Sequence, residues 1–187
     1  MTYYYERLQG WSEFTALYRR WVREASPGSR FVEVGIWRGR STIAMAEFIR
    51  ESGKRIEFTA VDHFQGSEEH QAELEATGDD LMDLFDRHAR AAGVRELIHL
   101  IPCASVEAAQ RVADLSCDLV YLDASHDAES VAADIHAWWP KVKHGGHLAG
   151  HDWGGNWPGV TRAVTEFVQR EGLPLEELGS TWTVRKP

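Results

Sequence analysis

Apolar positions along this chain follow two periods, one typical of helices and one of short buried strands. Near the start, apolar side chains recur at i, i+3, i+4 and i+7, which predicts an amphipathic helix before a Pro-Gly break. These side chains are Phe14, Leu17, Tyr18 and Trp21. After the break, strand-like and helical runs alternate. This alternation predicts a doubly wound, Rossmann-like α/β fold with a mostly parallel sheet and helices on both faces.

The runs can be placed along the chain. Strands are predicted over residues 30–35, 56–62, 97–102, 118–123 and 145–150, and residues 175–178 and 181–184 would form a closing hairpin. Helices are predicted over residues 41–50, from about residue 79, from residue 105, over residues 131–139 and over residues 160–168. Residues 63–80 are polar, acidic and irregular, which is typical either of a lid over a site or of a solvated loop.

Length and composition fit one domain over residues 1–187, with residues 1–27 a helical segment packed on it. The chain has 187 residues, 43% of them hydrophobic, which is enough for one core and too few for two. Neither a leader pattern nor about 18 consecutive apolar residues is found, so no membrane partner is expected. Cys103 and Cys117 lie in apolar runs that resemble neighbouring strands and read as reduced core thiols. We therefore expect a cytoplasmic protein.

Charge narrows the range of partners. The formal net charge is −9 and no long Lys/Arg cluster occurs, so a nucleic-acid partner is not expected. The aromatic residues near the start would serve either a homodimer contact or packing over the domain; they are Tyr3, Tyr4, Tyr5 and Trp11.

Chemistry-bearing residues stand where the predicted strands end, which is where open α/β sheets bind ligands. The first strand ends in Glu33-Val-Gly35-Ile-Trp37-Arg-Gly39. Its glycines would allow a sharp turn close to a ligand, and Ser41 and Thr42 would cap the next helix. A dinucleotide fingerprint begun at Gly35 would need glycines where Trp37 and Arg40 stand, which disfavours nicotinamide and flavin dinucleotides. The alternative interpretation is a tight turn without a ligand.

The spacing E-x-G-x-x-x-G, followed by an acid at the end of the next strand, resembles the first two motifs of class I S-adenosylmethionine-dependent methyltransferases. In that resemblance Asp62 holds the ribose hydroxyls, since a carboxylate accepts two hydrogen bonds from a diol. Otherwise Asp62 caps the segment that follows.

A longer resemblance covers residues 31–168. It is carried by Asp118-Leu-Val-Tyr-Leu-Asp123-Ala-Ser-His126, then Ala133-Asp134-Ile135, Trp138-Trp139-Pro140, and Gly145-Gly146-His-Leu-Ala-Gly-His151-Asp152-Trp153. These segments resemble a bacterial group related to macrocin and catechol O-methyltransferases. The resemblance implies a seven-stranded sheet, S-adenosylmethionine as cofactor, Ser105 near the adenine, and a reaction centre at Asp123, His126 and Asp152. The implied cofactor-binding set is Glu33, Gly35, Gly39, Ser41, Asp62, His63, Ser105 and Asp123.

Two hypotheses describe the reaction centre. In the first, His126 is a general base, since imidazole titrates near neutrality. In the second, Asp123, His151 and Asp152 hold a divalent cation, Mg or Mn. His151 stands where relatives often carry a carboxylate, which weakens the case for magnesium and leaves manganese, zinc or no metal open. In the structural interpretation, His126 caps a helix or lies on the surface, and the two acids anchor turns.

The sequence thus predicts methyl transfer to a small-molecule acceptor, with a hydroxyl as the favoured target. Two other classes stay open: a non-catalytic module that binds the cofactor, and a hydroxylase or oxidoreductase on the same scaffold. Phe64, Trp153 and Trp157 would wall an acceptor pocket or serve only packing.

Overall fold

A computed structural model describes residues 2–67 and 70–187 and contains a seven-stranded sheet in the order β3-β2-β1-β4-β5-β7-β6. The strands are β1 Ser29–Val34, β2 Ile56–Val61, β3 Ile98–Ile101, β4 Cys117–Leu122, β5 Val142–Gly150, β6 Leu175–Leu178 and β7 Thr181–Arg185. The helices are α1 Thr15–Glu24, α2 Arg40–Ser52, α3 Gln71–Thr77, α4 Leu81–Ala91, α5 Ser105–Ala109, α6 Ala128–Trp138 and α7 Pro158–Glu171.

The strand order reverses next to β1, which pairs in parallel with both β2 and β4. The carboxyl ends of these three strands therefore meet at one edge of the sheet, the switch point where such folds bind ligands. Strands β6 and β7 form an antiparallel hairpin whose second strand also pairs antiparallel with β5. The doubly wound α/β prediction, with its seven-stranded and mostly parallel sheet, is confirmed.

Strand alternation divides the core between the two faces of the sheet. In β1, Phe31 faces one apolar cluster, which includes residues of α1, α2 and α4. The next residue, Val32, faces a second cluster with residues of α6 and α7. Both faces are thereby covered by helices. No helix in the described part of the chain is long and apolar enough to cross a membrane.

The N-terminal segment lies over α2. The backbone amides of Tyr4 and Tyr5 each donate to the Glu47 carboxylate at 3.1 Å, and the rings of Tyr3 and Tyr5 pack edge-on against Phe48. These tyrosines therefore pack over the domain. A homodimer stays a prediction.

Three expectations need correction. Cys103 and Cys117 are free thiols as predicted, but β3 and β4 are not neighbours, because β2 and β1 lie between them. Strand β5 begins at the buried Val142, before the glycines at which it was expected to open. The segment 63–80 contains α3, whose described residues are not buried, so no apolar period marks this helix in the sequence.

Candidate active site

A cavity of about 540 Å³ opens at the carboxyl ends of β1, β2 and β4. Its floor and walls come from the turn after β1, the ends of β2 and β5, the loops after β3 and β4, and one face of α6. Residues 9–11 of the N-terminal segment close another side. The volume lies within the range of roughly 300–1,000 Å³ that is typical of small-molecule sites.

Gly35 allows the turn after β1 to approach the loop after β4. Its φ is +97°, and a Cβ at this position would lie 1.9 Å from the carbonyl oxygen of Asp123. Gly39, with φ +90°, is the N-cap of α2 and lacks a side-chain cap bond. The predicted caps Ser41 and Thr42 are therefore wrong, because the helix begins at Arg40 and places both hydroxyls inside it.

Glu33 lies beneath this turn and not on the cavity wall. Its Oε1 accepts a hydrogen bond from the Ser41 hydroxyl at 2.5 Å and from the Tyr18 hydroxyl at 3.2 Å. Burial raises the pKa of Glu33 to about 8, although the Ser41 hydrogen bond opposes the shift. Ser41 itself lines the cavity, so Glu33 positions a wall residue from below.

Asp62 ties the end of β2 to the turn after β1. Its Oδ2 accepts the amides of Ile36 at 2.7 Å and Trp37 at 3.3 Å, and its Oδ1 accepts the amide of Phe64 at 2.6 Å. Asp62 and His63 both line the cavity. Asp62 is therefore held rigidly at the place that the sequence predicted.

The structure brings together the three residues predicted to form the reaction centre. Ligand atoms of Asp123, His126 and Asp152 lie within 4.8 Å of one another, and His126 Nε2 lies 2.9 Å from Asp152 Oδ2. His151 Nδ1 lies 3.2 Å from Asp152 Oδ1, and its Nε2 lies 2.9 Å from the hydroxyl of Ser180. Asp152 follows β5 with a left-handed φ of +60°, and its carboxylate lies between the two imidazoles.

These contacts shift the pKa values in different directions. Burial raises the pKa of Asp123 to about 6, against the attraction of His151. Burial alone would lower the pKa of His151, but the hydrogen bond to Asp152 and the charge of Asp123 raise it to about 9. Despite its own burial, hydrogen bonds from His126 and His151 hold the pKa of Asp152 well below its usual range. At neutral pH, His151 is cationic and Asp152 is anionic.

The predicted metal set of Asp123, His151 and Asp152 stays a prediction, and the structure groups two of its members with another histidine. Asp123 and Asp152 belong to the one group among the described residues that could hold a metal ion, but its third member is His126 and not His151. Both nitrogens of His151 face oxygen partners, Nδ1 the Asp152 carboxylate and Nε2 the Ser180 hydroxyl. Sequence spacing could not separate the two histidines, because both follow strand ends.

Two stacked Trp–His pairs line the cavity. The Trp157 ring stacks on His126 with centroids 4.0 Å apart, and Trp37 stacks on His70 at 3.8 Å. Of the three aromatics predicted as acceptor walls, Trp157 lines the cavity, whereas Trp153 and Phe64 pack against the core clusters. Trp11 and Trp37 also line the cavity. Their place there was not predicted from the sequence, because nothing in their spacing indicates it.

The segment 63–80 contributes to the wall through Gly66, Ser67 and His70, which supports the lid interpretation. It is fixed by Arg38, whose guanidinium lies 3.1 Å from the Glu73 carboxylate and 2.8 Å from that of Asp79. Glu68 and Glu69 lie outside the described residues.

Ser105 opens α5, as the helix prediction had it, and it also lines the cavity. Its hydroxyl oxygen accepts a hydrogen bond from Trp138 Nε1 at 2.9 Å. The predicted contact of Ser105 with adenine stays a prediction.

Comparisons with known proteins agree with this geometry. A family model described as a methyltransferase domain matches residues 32–153. Among solved structures, the O-methyltransferase NovP is 19% identical over 93% of this chain and 79% of its own, with a TM-score of 0.69. An S-adenosylmethionine-dependent O-methyltransferase from Thermotoga maritima is 13% identical over 97% of this chain and 68% of its own, with a TM-score of 0.64. CalS11, a TDP-rhamnose 3′-O-methyltransferase, is 18% identical over 91% and 76%, with a TM-score of 0.62. At these identities the structural likeness shows the fold.

Proposed function

This chain belongs to the methyltransferase domain family and is a class I S-adenosylmethionine-dependent methyltransferase, and we propose that it methylates a hydroxyl group of a small molecule. The observation that carries the proposal is the His126–Asp152 pair, 2.9 Å apart on the wall of the cavity at the switch point. The free thiols Cys103 and Cys117 support our proposal of a cytoplasmic location.

The cavity fits the cofactor in size and in the chemistry of its walls. Asp62 presents a fixed carboxylate at the end of β2, suited to a ribose diol. The acidic reaction centre at the end of β4 suits a cationic sulfonium. When bound, S-adenosylmethionine supplies an electrophilic methyl group on sulfur.

His126 is the general base of the proposed reaction. A hydroxyl acceptor must lose its proton as it attacks, and an imidazole takes that proton near neutral pH. Asp152 stays ionised because its pKa is lowered, so it holds the His126 ring and stabilises the positive charge that the ring gains. Stacking on Trp157 fixes the plane of the same ring.

A second candidate arrangement places a divalent cation at Asp123, His126 and Asp152. The observation in its favour is that their ligand atoms lie within 4.8 Å of one another. Two carboxylates and one imidazole suit manganese or zinc better than magnesium, which prefers oxygen ligands. Such a cation would acidify a bound hydroxyl, and His126 would then be a ligand and not the base.

The test measures S-adenosylhomocysteine release over a panel of hydroxylated small molecules, with the His126→Gln variant and the exposed His136→Gln as its control. We expect His126→Gln to lose about 100-fold or more in turnover while cofactor affinity is retained. Unchanged turnover would exclude His126 as the base.

Chelation separates the two arrangements. Activity that survives exhaustive dialysis against a chelator excludes the cation. Activity that is lost and then restored by added Mn²⁺ or Zn²⁺ assigns His126 to the metal.

A further inference from the structure

The turn between β6 and β7 contacts the reaction centre, although the proposed reaction uses none of its residues. Ser180 lies in this turn, directly before β7. Its hydroxyl oxygen lies 2.9 Å from Nε2 of His151. Ser180 is not one of the described residues that line the cavity, so it meets the reaction centre from outside the cavity.

Ser180 is bonded to both residues that flank Asp152. Its hydroxyl contacts the side chain of His151, and its main-chain carbonyl accepts the amide of Trp153 at 2.9 Å. Between these two residues, Asp152 has the left-handed φ of +60° that residues other than glycine rarely adopt. Such a backbone conformation persists only where the surrounding contacts fix it. The two bonds to Ser180 are contacts of this kind, and they fix the start of the loop after β5.

The side-chain contacts of Ser180 continue to the proposed base. His151 Nδ1 lies 3.2 Å from Asp152 Oδ1, and Asp152 Oδ2 lies 2.9 Å from His126 Nε2. One carboxylate thus joins the two imidazoles, and Ser180 stands at the far end of the network. His151 is buried, so water competes little for these bonds. A displacement of the His151 ring would therefore move the Asp152 carboxylate and, through it, the His126 ring.

The packing of β7 against β5 holds the turn in this place. Gly150, the last residue of β5, pairs with Trp182 of β7. A Cβ at Gly150 would lie 2.7 Å from the Trp182 indole, so the glycine permits the close approach of the two strands. The approach brings Ser180, two residues before Trp182, beside His151, which follows Gly150.

We propose that Ser180 is a positioning residue for the methyl transfer, which orients His126 through His151 and Asp152. This inference rests on the proposed function, because it concerns the orientation of the proposed base. Ser180 acts through the two residues between it and His126 and not by contact with the cofactor. The β6–β7 hairpin is then part of the active site as well as the edge of the sheet.

The turnover test compares Ser180→Ala and Ser180→Thr with the wild type. We expect Ser180→Ala to lower kcat about 10-fold, because an outer residue that orients a reacting group affects the chemical step. The dissociation constant for S-adenosylhomocysteine should stay unchanged, because Ser180 does not line the cavity. Ser180→Thr keeps the hydroxyl and should restore turnover. Thermal unfolding of each variant reports whether the fold is retained.

Ser116→Ala is the matched control. Ser116 precedes β4 at the end away from the cavity, and its hydroxyl donates to the Ala113 carbonyl at 2.7 Å. This variant also loses one hydrogen bond of a turn, and it should keep the wild-type kcat.

A second measurement needs no acceptor. ¹⁵N NMR at neutral pH follows the ring nitrogens of the histidines, whose signals are assigned with the variants His126→Gln and His151→Gln. We expect Ser180→Ala to shift the signals of both His151 and His126, although Ser180 contacts only the first of them. Ser116→Ala should shift neither.

The outcomes separate this proposal from the proposed function. An unchanged kcat in Ser180→Ala overturns the positioning role, as does a shift confined to His151. A Ser180→Thr variant as slow as Ser180→Ala also overturns it, because the hydroxyl is then not the group that acts. A wild-type protein that methylates no hydroxylated acceptor removes the proposed reaction, whereas a shift of the His126 signals in Ser180→Ala still supports the network.

Discussion

Single residues determine how closely the turn after β1 approaches the loop after β4. They also determine which side chains of the site are protonated. Gly35 has no side chain where a Cβ would overlap the Asp123 carbonyl, and Asp152 takes a left-handed backbone at the end of β5. Glu33 is fully buried yet hydrogen-bonded to a residue on the cavity wall. In each case, the backbone conformation or the burial of a single residue affects the geometry of the cavity.

Replacing Gly35 by alanine should separate the turn after β1 from the loop after β4. The added Cβ would lie 1.9 Å from a backbone oxygen, and alanine is also strained at φ +97°. We expect a loss of more than about 3 kcal/mol in the free energy of unfolding and loss of cofactor binding. Denaturant unfolding and calorimetry measure both.

Gly53→Ala is the control for backbone strain alone. Gly53 has φ +65° with no neighbouring atom within 4 Å, so this variant should lose only about 1–2 kcal/mol and keep its affinity. Equal effects of the two substitutions would show that the overlap with Asp123 is relieved at little cost.

Glu33 should make stability fall as pH rises. Because burial raises its pKa from 4.5 to about 8, the folded protein keeps a proton that the unfolded chain releases above pH 4.5. Glu33→Gln removes this titration. The free energy of unfolding of the variant should therefore rise relative to that of the wild type between pH 4.5 and 8, by at most about 1.4 kcal/mol per pH unit. Denaturant midpoints at pH 5, 6.5 and 8 measure the difference. A difference that is constant with pH would contradict the prediction, and the exposed Glu57→Gln controls for general charge effects.

The positions of the site residues at strand ends could be predicted from the topology of the sheet. The rest of the site could not be predicted in this way. Asp62, Asp123 and Asp152 could be placed because parallel strands bring their carboxyl ends to one edge. Which histidine joins Asp123 and Asp152 as a possible metal ligand depends on side-chain directions that spacing does not contain.

At the scale of elements, buried faces were predictable and exposed ones were not. Helix α1 shows its apolar period because Leu17, Tyr18 and Trp21 are buried. Helix α3 is held by the ion pairs of Arg38 and has no buried residues of its own. Its sequence therefore has the pattern of a polar loop. An element fixed by ion pairs also opens more easily than one fixed by packing.

Arg38→Met should loosen the segment 63–80 with little effect on global stability. The Arg38 side chain is 11% exposed and pairs with both Glu73 and Asp79, so its loss frees α3 from the turn after β1. We expect faster proteolysis within residues 71–80 and a higher dissociation rate for S-adenosylhomocysteine, with global unfolding changed by about 1 kcal/mol or less. Arg90→Met on α4, which breaks a more exposed pair with Asp86, should leave both rates unchanged. Equal proteolysis in the two variants would mean that Arg38 does not hold the segment.

At the scale of the whole molecule, the cavity is assembled from parts far apart in sequence. The N-terminal segment, the segment 63–80 and residues at the ends of five strands all contribute to its walls. The hairpin of β6 and β7 lies at the opposite edge of the sheet from β3. A bound ligand is therefore expected to stabilise some regions far more than others.

Hydrogen exchange with and without S-adenosylhomocysteine tests this expectation. Exchange should slow over residues 9–11 and 70–78, which have few buried contacts of their own, and change little in β6. At a free ligand concentration of 100 times the dissociation constant, binding raises the free energy of global unfolding by about 2.7 kcal/mol. This increase serves as the internal standard. Equal protection along the chain would mean that the ligand acts only through global unfolding.

The attachment of the N-terminal segment has a consequence for protein engineering. Arg40 donates from Nη1 to the main-chain carbonyls of Leu8 and Gly10, at 2.8 and 2.6 Å. Every amino acid has the same main-chain carbonyl group, so these two hydrogen bonds do not depend on the side chains at positions 9 and 11. Both of these side chains border the cavity. A library randomised at Gln9 and Trp11, with Arg40 and Gly10 kept, would vary this wall of the cavity while both hydrogen bonds to Arg40 are retained.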